Sequence, residues 1–109
     1  MTPQRLYEIL SKYAASKGQQ LNKDREFVID ILTGLLKNEK RYGYRACPCR
    51  LALGIKEKDQ DIICPCVYKD ADVKDYGSCY CGLYVSKDWN EGIIEHRVVS
   101  ERRPPERQA

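Results

Sequence analysis

The stretch from Cys47 to Cys81 decides how this chain is interpreted, because it carries three Cys-x-Cys pairs: Cys47-Pro48-Cys49, Cys64-Pro65-Cys66 and Cys79-Tyr80-Cys81. It contains all 6 cysteines of the chain, and Pro is the central residue of the first two pairs. Six thiols divide naturally into four and two. Four thiolates can saturate one zinc ion or one iron–sulfur cluster, and the remaining two can form a redox-active disulfide.

Two other uses of the cysteines are weaker. Zinc sites usually space paired ligands by roughly two to four residues, whereas one residue separates the cysteines of every pair here. Zinc is also redox-inert and would leave two thiols without a role. Three structural disulfides are typical of exported proteins, but Met1 to Arg5 lead into a charged amphipathic stretch rather than an apolar signal segment. An iron–sulfur centre fits better, although the chemistry alone does not say which four cysteines bind it.

The composition describes a single domain, residues 1–109. Charged residues make up 32% of the chain and hydrophobic residues 42%, which is ordinary for a globular protein. A net charge of +3 is too small to indicate nucleic-acid binding, but it allows a local basic patch to dock an acidic protein. The apolar runs are too short to span a membrane. We therefore expect a cytoplasmic protein without a membrane or nucleic-acid partner.

Residues 1–43 predict a scaffold of two amphipathic helices. Thr2 can cap the first helix, Pro3 suits its first position and Gly18 its end. The second helix is expected to begin near Asn22 as N-cap and to end at Tyr42-Gly43-Tyr44. The predicted apolar faces are Leu6, Ile9, Leu10 and Tyr13 in the first helix and Phe27, Val28, Ile31, Leu32, Leu35 and Leu36 in the second.

The rest of the chain divides into a cysteine region, residues 44–100, and a polar tail, residues 101–109. In the cysteine region we expect short helices or turns at residues 56–61 and 68–76, a brief β-prone segment at residues 83–85, and a return to the core at Trp89, Ile93 and Ile94. The tail is charged and rich in Pro, so it is predicted to be extended or partly disordered.

The cysteine pairs and their surroundings resemble the catalytic chain of ferredoxin–thioredoxin reductase. Residues 42–51, Cys64-Pro65-Cys66, residues 79–85 and Arg102-Arg103-Pro104 carry the resemblance, which extends over roughly residues 20–105. It implies a mainly α fold, a single compact helical domain wrapped around one [4Fe–4S] cluster beside an active-site disulfide. The sequence departs from the plant and cyanobacterial pattern at Tyr80, where that family usually has His, and so looks more like archaeal or anaerobic bacterial relatives.

The resemblance also implies a role for each cysteine. The positions that match the four cluster ligands of the family are Cys47, Cys64, Cys66 and Cys79. Cys49 matches the exposed cysteine that attacks the substrate, and Cys81 matches its disulfide partner, which faces the cluster. The implied enzyme is an oxidoreductase that takes electrons one at a time from ferredoxin and reduces thioredoxin or a similar protein disulfide. A variable subunit, as in the plant-type enzyme, is a candidate further partner.

An iron–sulfur disulfide reductase is thus the leading hypothesis. The alternatives are a non-catalytic zinc- or cluster-binding module and an electron-transfer protein without thiol chemistry, and neither has a use for Cys49 and Cys81. Arg45 and Arg50 could stabilise a Cys49 thiolate. The basic residues predicted to dock an acidic electron donor are Lys37, Lys40, Arg41, Arg45 and Arg50.

Two further residues bear on proton transfer near the disulfide. Tyr80 is a poor base at neutral pH, because the ordinary pKa of Tyr is about 10 against about 6.5 for His. The single His of the chain, His96, could approach the site but is expected to be an ordinary surface residue.

Overall fold

The computed structural model describes residues 1–108, and Ala109, the last residue of the predicted tail, lies outside that range. About half of the chain is helical. Within residues 1–108 the elements are α1 (Pro3–Ser16), β1 (Gln20–Leu21), α2 (Arg25–Tyr42), α3 (Lys56–Asp59), α4 (Lys69–Tyr76), β2 (Tyr84–Val85) and α5 (Lys87–Asn90), with 3-10 turns at Gln60–Ile62 and Pro105–Arg107. The described helices include none with the length and apolar character that a membrane crossing requires.

The two long helices, α1 and α2, form an apolar scaffold. α1 begins as predicted: the Thr2 side chain accepts a hydrogen bond from the Arg5 backbone N–H at 3.1 Å, and Pro3 is the first helical residue. The buried residues are Leu6, Leu10 and Ala14 in α1 and Val28, Leu32 and Leu35 in α2. Placing Ile9 on the buried face is wrong, because positions 6, 10 and 14 follow one line along the helix and Ile9 lies beside it, 38% exposed.

α2 begins two residues later than predicted. Asp24 caps it, with its carboxylate accepting a hydrogen bond from the Phe27 N–H at 3.1 Å. Asn22, the predicted cap, instead donates its side-chain amide to the Gly82 carbonyl at 3.1 Å and its backbone N–H to the Leu83 carbonyl at 2.9 Å. Because these long-range contacts hold Asn22 against the third cysteine pair, the capping role falls to the next acceptor along the chain.

Two glycines with positive φ explain how α2 ends and what covers the third pair. Gly43 ends the helix at φ 86°, as predicted, and donates its N–H to the Glu39 carbonyl. Gly82 has φ 80°, and a Cβ there would lie 3.3 Å from the ring of Phe27. Phe27 therefore covers the loop of the third pair and remains 38% exposed, which corrects its predicted place in the buried stripe.

Backbone hydrogen bonds bring the first two cysteine pairs side by side. The Cys47 N–H donates to the Ile62 carbonyl and the Cys64 N–H donates to the Arg45 carbonyl, each at 2.8 Å, in a short antiparallel bridge. The chain between these pairs forms α3 and a 3-10 turn, and α4 follows the second pair. Both short helices confirm the predictions at residues 56–61 and 68–76.

The third pair lies in a tight loop before β2. The Cys79 N–H donates to the Tyr84 carbonyl at 2.8 Å, and β2 pairs antiparallel with β1, with Leu21 opposite Tyr84. The β-prone segment at residues 83–85 is confirmed. β1 was not predicted, because a strand of two residues carries no periodic pattern. Through β1 the third pair is fastened to the scaffold.

The C-terminal tail, described for residues 101–108, is held against the cysteine region, which corrects the expectation of an extended or partly disordered end. Arg103 is 3% exposed, with its guanidinium 2.9 Å from Asp61 and 3.8 Å from Asp59. Arg102 pairs with Asp72. Asp59 and Asp72 are both 0% exposed, and buried carboxylates require a cation or equivalent partners. The contacts of the tail were not predicted, because in the sequence these acids look like ordinary solvated residues.

The segment after α5 stays at the surface. Ile93 is 67% and Ile94 38% exposed, so the predicted return to the core is wrong for both. Trp89 is half-buried and stacks on His96, with ring centroids 3.6 Å apart. His96 is exposed, as predicted, and one ring nitrogen lies 2.8 Å from the Trp89 carbonyl oxygen.

Candidate metal and thiol centre

Five of the cysteines line one cavity. Its walls consist of Cys47, Cys64, Cys66, Cys79 and Cys81 together with Arg50, Lys69, Tyr80 and Tyr84. The free volume is about 10 Å³, so the thiols and the surrounding side chains nearly fill it. Cys49 is exposed and instead lines two open grooves on the outer side. The six thiols are thus divided between an interior and a surface position.

Four of the sulfur atoms nevertheless form one continuous group. The Sγ atoms of Cys47, Cys49 and Cys81 all lie within 4.8 Å of one another. The Sγ atoms of Cys79 and Cys81 are 3.7 Å apart. All six cysteines are free thiols. Cys81 therefore stands between the exposed Cys49 and the buried Cys79.

Two of the cavity sulfurs accept hydrogen bonds from nitrogen donors. The Tyr84 backbone N–H donates to Cys79 Sγ at 3.3 Å, and Arg50 donates through Nη1 to Cys66 Sγ at 3.5 Å. Such donors stabilise thiolate ligands of metals and tune the potential of iron–sulfur clusters. Sulfur in this setting is suited to carrying negative charge.

Burial works against that charge at the second pair. It raises the pKa of the Cys64 thiol well above its ordinary value and also raises the pKa of Cys66, where Arg50 opposes the shift. A bound cation reverses this effect, since a coordinating thiol is deprotonated outright. Buried sulfur donors with N–H partners fit an iron–sulfur or other thiophilic metal centre. The cavity contains five cysteines, one more than a site of four thiolates requires.

The outermost thiol has the opposite character. Hydrogen bonds from Cys47 and then Cys81 outweigh burial and, with a smaller contribution from Arg50, lower the pKa of Cys49 to about 4. Hydrogen bonds with Cys47, Cys49 and Cys79, together with burial, raise the pKa of Cys81 well above its ordinary value. Cys49 is therefore the exposed thiol that ionises more readily, and the buried Cys81 beneath it holds its proton more strongly. This is the arrangement that a nucleophile with a second thiol in reserve requires.

The structure separates the two arginines predicted to act near Cys49. Arg50 is 8% exposed and faces the cavity, where its guanidinium lies 4.4 Å from the centre of the Tyr80 ring. Arg45 instead pairs with Glu39 at 3.0 Å. The expected thiolate-stabilising role thus fits Arg50 and is wrong for Arg45.

The predicted basic docking patch is smaller than the sequence suggested. Arg50 is buried and paired with Glu101 at 2.8 Å, and Arg45 is paired with Glu39. The exposed members are Lys37, Lys40 and Arg41, all on the last part of α2.

Several residues at the site were not found from the sequence. Lys69 lies in the cavity wall, 2% exposed, with Nζ donating to Gln19 at 2.8 Å and to Asp70 at 2.7 Å. The Tyr84 hydroxyl is buried without a hydrogen-bond partner among the described residues. Lys69 carries no motif. Tyr84 lies in residues 79–85, which carry the family resemblance, but neither that resemblance nor the β-prone character of residues 83–85 predicted its place in the wall.

Tyr80 separates the interior from the surface. It lines the cysteine cavity and also both grooves that contain Cys49. Its ring is half-buried and lies against Arg50. Tyr80 is therefore a shared wall between the cavity and the exposed thiol.

A comparison with protein families agrees with this site. The family model described as the ferredoxin thioredoxin reductase catalytic beta chain matches residues 2–103 of the 109-residue chain. A search of curated proteins found none that matches the chain. The family match includes all three cysteine pairs, the scaffold and the tail arginines at 102 and 103, so it confirms the resemblance and supports an oxidoreductase. The chain belongs to the family of ferredoxin–thioredoxin reductase catalytic chains.

Proposed function

We propose that the chain is an iron–sulfur disulfide reductase, a single mainly α domain wrapped around a [4Fe–4S] cluster that works beside the Cys49–Cys81 pair. The division of the six thiols carries this proposal: five line one cavity, and Cys49 is exposed with its sulfur within 4.8 Å of Cys81. A passive metal module has no use for an exposed thiolate with a buried thiol behind it.

The proposed cluster ligands are Cys47, Cys64, Cys66 and Cys79. A bound cluster would supply single electrons to the disulfide, which a one-electron donor such as ferredoxin requires. The chain's own contribution is to enclose the ligands in one cavity, direct Arg50 at Cys66 and the Tyr84 N–H at Cys79, and hold Cys81 next to Cys79. The two N–H contacts support Cys66 and Cys79 as ligands. The choice of Cys47 and Cys64, and the thiol role of Cys81, rest on the family resemblance.

Reduction of the partner then follows ordinary thiol–disulfide exchange. The Cys49 thiolate attacks one sulfur of the partner's disulfide, a mixed disulfide forms, and the partner's second sulfur leaves as a thiolate. Cys81 loses its proton to solvent and attacks Cys49 Sγ. The Cys49–Cys81 disulfide forms, and the partner's bound sulfur leaves as a second thiolate. The partner gains two electrons. Two electrons from the donor and one proton from solvent then restore the Cys49 thiolate and the Cys81 thiol.

The surface around Cys49 favours a protein substrate of the thioredoxin class. Exposed apolar residues flank the cysteine on both sides, with Leu51 at 82% and Val98 at 92% exposure in the two grooves. Open grooves with an apolar rim suit the flat surface around a protein disulfide better than a small thiol, which needs an enclosing pocket. We expect Val98→Asp to raise KM for the protein substrate and to leave the reduction of a small disulfide reagent unchanged.

The metal is tested on anaerobically purified protein by iron and sulfide analysis and by electron paramagnetic resonance. We expect about four iron and four sulfide per chain, and Cys64→Ser should lose the iron while Cys49→Ser keeps it. One tightly bound zinc ion per chain without iron would favour the non-catalytic module instead.

The thiol roles are tested with a thioredoxin that lacks its own resolving cysteine. Cys81→Ser should accumulate a covalent adduct on Cys49, because no second thiol remains to expel the partner, and Cys49→Ser should form none. Mass spectrometry of both variants locates the adduct. An adduct on Cys81 in the Cys49→Ser protein would reverse the two roles, and no adduct in either variant would count against a reductase.

A further inference from the structure

Arg50 connects the cysteine cavity to the rest of the molecule. It is 8% exposed and lines the cavity. Its Nη1 lies 3.5 Å from Cys66 Sγ, and the guanidinium lies 4.4 Å from the centre of the Tyr80 ring. One side chain thus contacts the half-buried Cys66 thiol and the wall that separates that thiol from Cys49.

The remaining donors of Arg50 are held by Glu101. Nε lies 2.8 Å from Oε2 and 3.1 Å from Oε1 of Glu101, and Nη2 lies 2.8 Å from Oε1. This bidentate arrangement fixes the plane of the guanidinium. With Nε and Nη2 engaged, Nη1 is the group left to face Cys66.

Glu101 is itself fixed by the tail. Its Oε1 accepts a hydrogen bond from the Arg103 backbone N–H at 2.9 Å, and Arg103 is anchored on Asp61, also at 2.9 Å. The carboxylate that orients Arg50 therefore comes from a segment distant in sequence and independently anchored.

We propose that Glu101 is a positioning residue for the cysteine centre, acting through Arg50, which it orients toward the Cys66 sulfur and across Tyr80. The inference rests on the proposed function and deepens it, because it names a residue outside the cysteine region that sets the electrostatic environment of the cluster. It also gives the tail a role beyond structural support.

The sign of one measurable effect distinguishes this role from a simple charge effect. A cationic donor to a ligand sulfur favours the more negative, reduced state of a cluster and so raises its reduction potential. Misdirecting Arg50 should therefore lower the potential. If Glu101 acted only as a nearby negative charge, neutralising it would favour the reduced state of the cluster. The reduction potential would then rise instead of falling.

The experiment is a reductive titration of the cluster signal in Glu101→Gln, which keeps the size of the side chain. We expect the potential to shift to a more negative value than in wild type. Glu106→Gln is the matched control, because it neutralises an exposed acid of the same tail, and it should leave the potential unchanged. A shift to a more positive value in Glu101→Gln, or no shift, overturns the proposal.

Arg50→Lys is the second variant. Lysine keeps the charge but lacks the planar fork that serves Glu101, Cys66 and Tyr80 together, so the potential should again move to a more negative value. A wild-type potential in Arg50→Lys would show that charge alone suffices and would overturn the role of orientation.

A second readout does not depend on the metal. In nitrogen-15 NMR of the full chain as isolated, hydrogen exchange at Arg50 Nε should be roughly tenfold faster in Glu101→Gln than in wild type or Glu106→Gln, as expected for the loss of one charge-assisted hydrogen bond. Unchanged exchange overturns the positioning role. Absence of iron from the wild-type chain would instead count against the proposed function, and the two failures are therefore distinguishable.

Discussion

The two ends of the chain are held to the molecule by different interactions. α1 and α2 bury aliphatic side chains, with Leu6, Leu32 and Leu35 at 0% exposure, whereas the tail brings Arg103, 3% exposed, against Asp59, at 0%. Aliphatic contacts are non-directional, so side chains of similar size can replace one another. A buried ion pair leaves an uncompensated charge as soon as one partner is removed. The ion pairs that hold the tail against the cysteine region should therefore tolerate single substitutions less well than the scaffold.

The largest expected effect comes from Arg103→Ala. It leaves Asp59 and Asp61 without their buried cation, and breaking such a pair costs about 3–5 kcal/mol of unfolding free energy. Arg107→Ala is the control, because Arg107 also contacts Asp61, at 3.2 Å, but its side chain is 42% exposed, and its loss should be small. Urea unfolding measures the loss of unfolding free energy in both variants. Equal losses in the two variants would contradict the distinction between buried and exposed partners of Asp61.

The same ion pair should make stability depend on acid pH. Burial alone raises the pKa of Asp61, but hydrogen bonds from Arg103, Tyr68 and Arg107 outweigh it and lower the pKa to about 2. Because the folded pKa lies below the unfolded value of about 3.9, this stabilisation is complete above about pH 4 and is lost as the pH falls toward 2. The loss should be about 2 kcal/mol.

Unfolding curves from pH 6 to pH 2 test this dependence. Asp61→Asn should lose stability at pH 6 and depend less on pH below 4 than wild type does. Asp30→Asn, which changes an exposed acid of α2, should follow the wild-type profile. If the stability of Asp61→Asn changed with pH in parallel with wild type, groups other than Asp61 would be responsible for the acid sensitivity.

Conservative substitutions sharpen the comparison between the two regions. Leu32→Met should cost less than about 1.5 kcal/mol, because it nearly preserves volume in a non-directional contact. Arg103→Lys should cost clearly more, since an ammonium group cannot reproduce the planar contacts with Asp61 and the Lys58 carbonyl. Denaturation midpoints of the two variants check this. A larger loss of stability in Leu32→Met than in Arg103→Lys would contradict the idea that the directional ion pair tolerates substitution less well.

Exposed charges should affect association and leave stability unchanged. If Lys37 and Lys40 steer an acidic donor, as proposed, replacing both by Gln should slow reduction by ferredoxin about two- to fivefold at low salt. The difference from wild type should shrink as the salt concentration rises. Stopped-flow reduction at two ionic strengths measures it, and a difference independent of salt would argue against electrostatic docking.

The elements that the sequence predicted are those with a local cause. Thr2 caps α1 and Gly43 ends α2 because capping depends on a few neighbouring residues. Elements that depend on distant contacts were missed or misplaced: Asn22 gave up its predicted cap to bind Gly82, and β1 exists through its pairing with β2. Local sequence patterns cannot predict when a contact with a distant residue will replace a local one.

The cysteine site was predictable as a group but not in its environment. The three pairs indicated a metal and thiol centre, and the family resemblance implied an exposed Cys49 with Cys81 facing the cluster. The structure shows Cys49 exposed and Cys81 buried. The link from Glu101 to Arg50 could not be read from the sequence, because it joins residues whose charges look like ordinary surface charges until both are placed. The roles of the individual cysteines remain a prediction from the family resemblance.

The position of Trp89 has a spectroscopic consequence. It is the single tryptophan of the chain, it lines a groove together with Cys49, and its ring stacks on His96. Indole emission responds to solvent exposure and to a stacked neighbour, so a protein that docks over Cys49 and covers this groove should change the fluorescence without any added label. The chain therefore carries an intrinsic optical reporter at the place where its substrate is proposed to arrive.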